Sequence, residues 1–241
     1  ININIKNVQC GDILGENNTI TAIFKLVNNQ KMYRLNNVTV SGTHYVYHNT
    51  LKWIQVHEHP DAVLLENYNK PYIYCINTSN KRININNTTF ADWDDLDNID
   101  LNKMKDFNIA STVNNIHKKT DAGLLSSTII TLKNGKKIPI HKIKPGDILE
   151  NNTFVNGIVK IKANDIQNQC IYKFKQQNIK GSNIYFTSSH LGKFTKQKTL
   201  YKDTHFYHLI TDTGKFHING IELYDYNSAI ENTLDIRNLY L

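Results

Sequence analysis

Apolar and polar positions along this chain alternate in short runs and do not recur at helical spacing. "NVTVSGTHYVY" (37–47), "TIITL" (128–132), "TFVNGIVKI" (153–161) and "FHINGIELYDY" (216–226) are rich in Ile, Val, Thr, Tyr and Phe and punctuated by Asn-Gly, Gly-Asp or Asn-Asn. This pattern predicts strands closed by tight turns. Asn134-Gly135 and Asn219-Gly220 predict two-residue type I′ hairpins, because both residue types accept positive φ. A weakly helical stretch around Asp100–Phe107 is the exception, and the expected fold class is all-β.

The strand pattern occurs twice. "GDILGENNTITAIFKL" from Gly11 returns as "GDILENNTFVNGIVKI" from Gly146, and "YIYCINTSNKRININNTTFADWDD" from Tyr72 returns as "HFYHLITDTGKFHINGIELYDYNS" from His205. "VSGTH" (40–44) has its nearest phrase in "IKGSN" (179–183), so three landmarks recur in one order at similar displacements. Self-similarity of this kind predicts a tandem duplication. The polar segment 96–122 has the texture of a domain junction. The expected organisation is a first module over 1–110, a linker over 111–122 and a second module over 123–241.

Composition changes this picture little. The chain has 241 residues, 40% of them hydrophobic and 20% charged, enough for one large core or two ordinary ones. It contains no apolar run of membrane-spanning length and no signal-peptide pattern. It opens mid-pattern on "ININI" without an initiator Met, so an upstream part is expected to be missing. The net charge of +7 would permit nucleic-acid binding, but the lysines are scattered and no dedicated nucleic-acid role is assigned. Cys10, Cys75 and Cys170 lie far apart without C-x-x-C pairing, which predicts neither a disulfide framework nor a zinc knuckle and fits reducing, cytoplasmic surroundings.

Several residues invite chemical readings. His44, His48, His57 and His59 are close in sequence but lack a ligand-like spacing, and no metal is assigned to them. Cys75, a lone thiol in a strand, reads as a small buried hydrophobe. Trp53 and Trp93 are expected to anchor the core. Asp12 and Asp147, each in Gly-Asp-Ile-Leu, are expected to fix a turn.

The string "TIITLKNGKKIPIHKIKPGDIL" (128–149), the block "VSGTHYV" (40–46) and the two late hairpin blocks together resemble the Hint family, the hedgehog/intein autoprocessing modules. The resemblance implies an N–S acyl shift: a Cys at the start of the module attacks the preceding peptide carbonyl, and a T-x-x-H block polarises the bond and moves the proton. Ser41 would stand in the Thr position and His44 in the His position, with Asp92 orienting His44 or stabilising its imidazolium. A peptide is a poor electrophile, so this chemistry needs a nucleophile, a general acid and an oxyanion donor, but no cofactor. Residues three apart on a strand face opposite ways, so a bend at Gly42 is expected to bring Ser41 and His44 together.

The second module keeps the pattern without its chemistry. Gly123, Leu124 or Leu125 stands where the family places Cys, and the T-x-x-H block is read as Lys180-Gly-Ser-Asn183. Neither module ends with the His-Asn pair that splicing requires, so self-cleavage is expected before splicing, with the chain's own N-terminal flanking polypeptide as substrate. The competing expectation is a non-catalytic β-scaffold that holds a protein or peptide partner. A metal-dependent nuclease built on the histidines is a remote third.

Overall fold

The computed structural model describes residues 3–15, 17–94, 123–162, 171–174, 184–186, 195–197 and 204–231. These fall into two compact units, one within Ile1–Ile23 and Val27–His117, the other within Phe24–Leu26 and Lys118–Leu241. Strands in antiparallel sheets dominate, with a single short helix at 226–231 among the described residues, so the fold is all-β. The expected junction at 96–122 lies outside the described residues, as does the helical stretch at Asp100–Phe107.

The first unit contains β1 (Ile13–Leu14), β2 (Asn18–Val27, apart from Phe24–Leu26), β3 (Met32–Leu35), β4 (Val38–Ser41), β5 (Tyr45–His48), β6 (Lys52–Gln55), β7 (Val63–Leu64), β8 (Tyr72–Thr78), β9 (Arg82–Ile85) and β10 (Thr88–Ala91). β2 pairs with β1 and β8, β3 lies between β4 and β7, and a four-stranded sheet runs β6-β5-β10-β9. The run 37–47, expected as one strand, is two. A turn at Gly42-Thr43 ends β4, and β5 leaves to pair with β6 and β10 in another sheet. Alternation of side chains does not reveal such a break, because the residues on both sides of it remain apolar and polar by turns.

The second unit contains β11 (Leu124–Leu125), β12 (Ile129–Thr131), β13 (Lys137–Pro139), β14 (Val155–Lys162), β15 (Ile171–Phe174), β16 (Ile184–Phe186), β17 (Thr195–Gln197), β18 (His205–Thr211), β19 (Lys215–Ile218) and β20 (Ile221–Tyr224). Its main sheet runs β14-β18-β11-β16-β15-β17, and β12–β13 and β19–β20 are hairpins. Asn219 and Gly220 take φ of 52° and 77°, the expected type I′ turn. Asn134-Gly135 behaves differently. Only Gly135 has positive φ, Gly135 N–H donates to Leu132 O, and Leu132 N–H donates to Lys136 O, so this is a longer loop with glycine in the left-handed position. The Asn134 side chain accepts from Lys136 N–H and holds it open.

Matching hydrogen bonds recur in the two units at the positions of the repeated sequence blocks. Gly11 N–H donates to Ile20 O and Ile20 N–H to Asp12 O, just as Gly146 N–H donates to Val155 O and Val155 N–H to Asp147 O. Asp12 Oδ2 accepts from Gln9 N–H at 2.8 Å, and Asp147 Oδ2 from Lys144 N–H at 2.8 Å. The two aspartates therefore fix the same turn, as expected. In the late block Thr78 N–H donates to Asp92 Oδ2 at 2.9 Å and Thr211 N–H to Asp225 Oδ2 at 2.7 Å. Asn86-Asn87 and Asn219-Gly220 make equivalent left-handed turns. The two units share these turns and hairpin closures.

A second internal relation emerges only in three dimensions. The hairpin β5–β6 followed by the one-turn 3-10 helix Val56–Glu58 has the same build as β12–β13 followed by Ile140–Lys142. Tyr45 pairs Gln55 and Tyr47 pairs Trp53; Ile129 pairs Pro139 and Thr131 pairs Lys137. His57 Nδ1–H donates to Gly42 O and His141 Nδ1–H to Ser126 O, both at 2.8 Å. In this correspondence His44 occupies the position of Thr128.

Each core is assembled from these equivalent positions. Ile20, Val46, Val56, Ile76, Ile83 and Phe90 are buried together in the first unit, and Val155, Ile130, Ile140, Leu209, Phe216 and Leu223 in the second. The tryptophans do not anchor either cluster. Both are only half-buried; Trp53 packs edge-on against Tyr47 with the Arg82 guanidinium 4.5 Å above its ring. An indole can stack on a cation and stay partly wet, which a buried aliphatic side chain cannot do.

Candidate functional site

The turn between β4 and β5 is where the structure brings Ser41 and His44 together. His44 N–H donates to Ser41 O at 3.2 Å, closing a four-residue turn over Gly42 and Thr43. The expected bend at Gly42 exists, but its cause is space and not backbone freedom, since Gly42 does not have positive φ. A Cβ at this position would lie 2.6 Å from Tyr33 Cε2 and 3.3 Å from His57 Cβ. Gly42 is the residue that lets the turn lie flat on Tyr33. Lys31 O accepts from Gly42 N–H at 3.0 Å, Gly42 O accepts from His57 N–H at 2.9 Å, and Thr43 Oγ1–H donates to Gln30 Oε1 at 2.8 Å. The turn is held from three sides.

His44 is half-buried beside Phe90, with ring centroids 6.0 Å apart. Its Nε2 lies 2.9 Å from Ala91 O. A carbonyl only accepts, so Nε2 carries the hydrogen and Nδ1 is the basic nitrogen of the neutral ring. Burial holds the pKa below the ordinary value of 6.5, opposed by the Ala91 carbonyl, which favours the charged form. At neutral pH His44 is thus an oriented neutral imidazole, able to accept a proton and hand it on.

Asp92 sits one residue beyond the carbonyl that orients His44, and its own oxygens have backbone work. Oδ2 accepts from Thr78 N–H at 2.9 Å and Oδ1 from Asp94 N–H at 3.2 Å, while the Lys81 ammonium lies 3.8 Å from Oδ2. Asp225 does the same for Thr211 N–H and adds a bond from Ser228 N–H at 2.9 Å, capping the helix 226–231. The recurrence makes closing the hairpin block the common task of these aspartates.

In the second unit the three residues that the resemblance would put in the Cys position, Gly123, Leu124 and Leu125, have packing or pairing roles. A Cβ on Gly123 would lie 2.8 Å from Phe206 Cβ and 3.1 Å from Tyr207 O. Leu124 is in the core, and Leu125 pairs Phe206 within the sheet. Lys180–Asn183 lies outside the described residues. The sequence reading passed over a string with the T-x-x-H spacing itself, Thr187-Ser188-Ser189-His190, which follows β16 directly and also lies outside the described residues. The literal spacing is the signal that marks it.

The remaining candidates have partners. His57 is the lock on Gly42. His48 Nδ1 accepts from Leu51 N–H at 3.2 Å, and His59 Nδ1 accepts from Asp61 N–H at 3.2 Å. The two rings stand edge-on at 5.1 Å. The pKa of His59 is lowered by burial and by His48, with Asp61 opposing. No group of three or more His, Cys, Asp or Glu among the described residues could hold a metal ion. Cys75 is buried in β8, where the aligned sequence block of the second unit has His208, while Cys170 is outside the described residues. Among the described residues no helix is long and apolar enough to cross a membrane.

No protein-family model, curated protein or solved structure matches the chain. The functional reading therefore rests on the geometry and on the sequence resemblance.

Proposed function

We propose that the chain is a pair of Hint-like modules and that the first performs an intramolecular N–S acyl shift leading to self-cleavage. The observation that carries this reading is His44, a neutral imidazole held by Ala91 O at the end of the tight turn that also carries Ser41. In the step proposed, the Nδ1 lone pair of His44 takes the proton of an attacking thiol and returns it to the departing amine, while the Ser41 hydroxyl donates to the scissile carbonyl. A ring with a lowered pKa suits this order, because it must begin unprotonated. Asp92 contributes by closing the block that presents Ala91 O, without touching the reacting atoms in this scheme. The second module, with Gly123 against Phe206 and Tyr207, serves as a structural copy.

The test is expression of the complete natural coding sequence with an N-terminal reporter. Release of the reporter, faster with added thiol and at least tenfold slower in His44→Ala, supports the reading. Full retention of the reporter by the parent, or equal release by the variant, overturns it.

A further inference from the structure

One cluster in the first unit gathers more buried polar groups around Asp92 than hairpin closure uses. Lys81, Asp92 and Asp94 have side chains fully removed from solvent. Lys81 Nζ donates to Asp94 Oδ2 and lies 3.8 Å from Asp92 Oδ2. Asn77 Nδ2–H donates to the other oxygen of Asp94, Oδ1, at 3.0 Å. An amine, a carboxyl group, a second carboxylate and an amide donor thus converge inside the protein.

The repeated block in the second unit shows what the fold itself requires. At the matching positions the second unit has Gly214 for Lys81, Asn227 for Asp94 and Ile210 for Asn77, and it keeps only Asp225 for Asp92. Both hairpin blocks close alike: Asp92 N–H donates to Lys81 O and Asp225 N–H to Gly214 O. Hairpin closure accordingly needs one aspartate, while the buried lysine, the second aspartate and the asparagine are additions. Buried charges are unfavourable unless something compensates for their lost hydration.

We propose that Lys81 and Asp94 become joined by an intramolecular isopeptide bond, with Asp92 carrying the proton. Transfer of a proton along the hydrogen bond from Lys81 Nζ to Asp94 Oδ2 gives an amine with a free lone pair beside a carboxylic acid. The Nζ lone pair attacks Asp94 Cγ and forms the C–N bond. Asn77 Nδ2–H faces Oδ1, where negative charge develops. Asp92 takes a proton from Nζ and delivers it to Oδ2, which leaves as water as the C–O bond breaks. The ammonium and carboxylate become one amide and one water, Asp92 returns to its carboxylate, and no oxidant or activated co-reactant is consumed. Holding the reactants at contact replaces the activation that an amide-forming reaction in solution would need. The product clamps the β9–β10 hairpin across its open end.

Mass spectrometry of the full chain decides this directly. Under denaturing conditions the expected mass is lower than that of the sequence by one water. A tryptic digest should contain the peptide ending at Arg82 joined through Lys81 to the peptide that begins at Ile83 and contains Asp94. In Lys81→Arg the two peptides should separate and the water should be retained. Asp92→Asn should leave them unjoined in a chain whose circular dichroism still shows the β fold. A parent chain with the unmodified mass, or with the two peptides separate, overturns the proposal. Loss of ammonia in place of water would put the bond on Asn77 and overturn the assignment to Asp94. A full yield of joined peptide in Asp92→Asn would overturn the role of Asp92.

Discussion

His208 makes the second unit acid-sensitive by an amount that can be worked out. The ring is buried in β18, edge-on to Phe216 and Tyr226 at 5.7 and 6.0 Å, and its Nδ1 accepts from Leu209 N–H at 2.9 Å. Burial pushes its pKa from 6.5 down to about 4, against the opposing pull of the Asp225 carboxylate and the Leu209 carbonyl. Because the folded value is depressed, the unfolded chain takes up the proton first as pH falls. Stability present above pH 6.5 is therefore lost progressively as pH falls toward the folded value near 4. Linkage puts the loss at about 2 kcal/mol between pH 7 and pH 5 and about 3 kcal/mol by pH 4. The perturbation is His208→Asn, whose Oδ1 can still accept from Leu209 N–H but cannot titrate. Urea unfolding is followed by hydrogen exchange of the β14 and β18 amides at both pH values, corrected for intrinsic rates. The parent's stability should fall by about 2 kcal/mol more than the variant's over this range. His205 in the same unit, also shifted down by burial and by Lys160, is present in both proteins and drops out of the comparison. Equal pH dependence in parent and variant, or a His208 resonance titrating near 6.5, would refute the reasoning.

Other expectations follow from the same geometry. Gly42→Ala forces a methyl into the Tyr33 ring and should destabilise the first unit by about 1–3 kcal/mol in a tryptophan-fluorescence melt, with Tyr33→Ala relieving part of the cost. Asp225→Ala strands the buried N–H of Thr211 and uncaps the helix 226–231, for a loss of about 2–4 kcal/mol by urea denaturation. Gly220→Val places a β-branched residue at φ 77° and should cost about 1–2 kcal/mol in the same assay, whereas Asn219→Gly should be nearly silent. If His44 is the proton carrier, reporter release should persist below pH 6.5 and decline only as pH falls through the lowered His44 value. An acid limb at or above 6.5 would exclude it.

Much of the architecture was legible beforehand because local chemistry states it. Alternation marked most strands, Asn219-Gly220 announced its turn, and the recurrence of Gly-Asp-Ile-Leu predicted a shared turn that Asp12 and Asp147 both make. The candidate site was half legible. Spacing singled out Ser41 and His44, but the reason they meet is the pressure of Tyr33 and His57 on Gly42, contacts made from elsewhere in the chain. The matching build of β5–β6 and β12–β13 is not legible in the sequence because few side chains are shared, whereas strand pairing and the His57 and His141 bonds depend on backbone position.

By itself, then, the sequence determined the all-β class, the recurrence of its blocks and the turn chemistry, since each depends on residues within a few positions of one another or on plain recurrence. Tertiary structure alone decided that β5 leaves β4 for another sheet, that Trp53 stays half-exposed against Arg82, and that Lys81 is interior. A lysine in a polar turn reads as solvated unless distant groups meet it. Asp94 and Asn77 come to it only when the β9–β10 hairpin has closed and Trp93 N–H has bonded Ile76 O of β8, and water is excluded at the same moment.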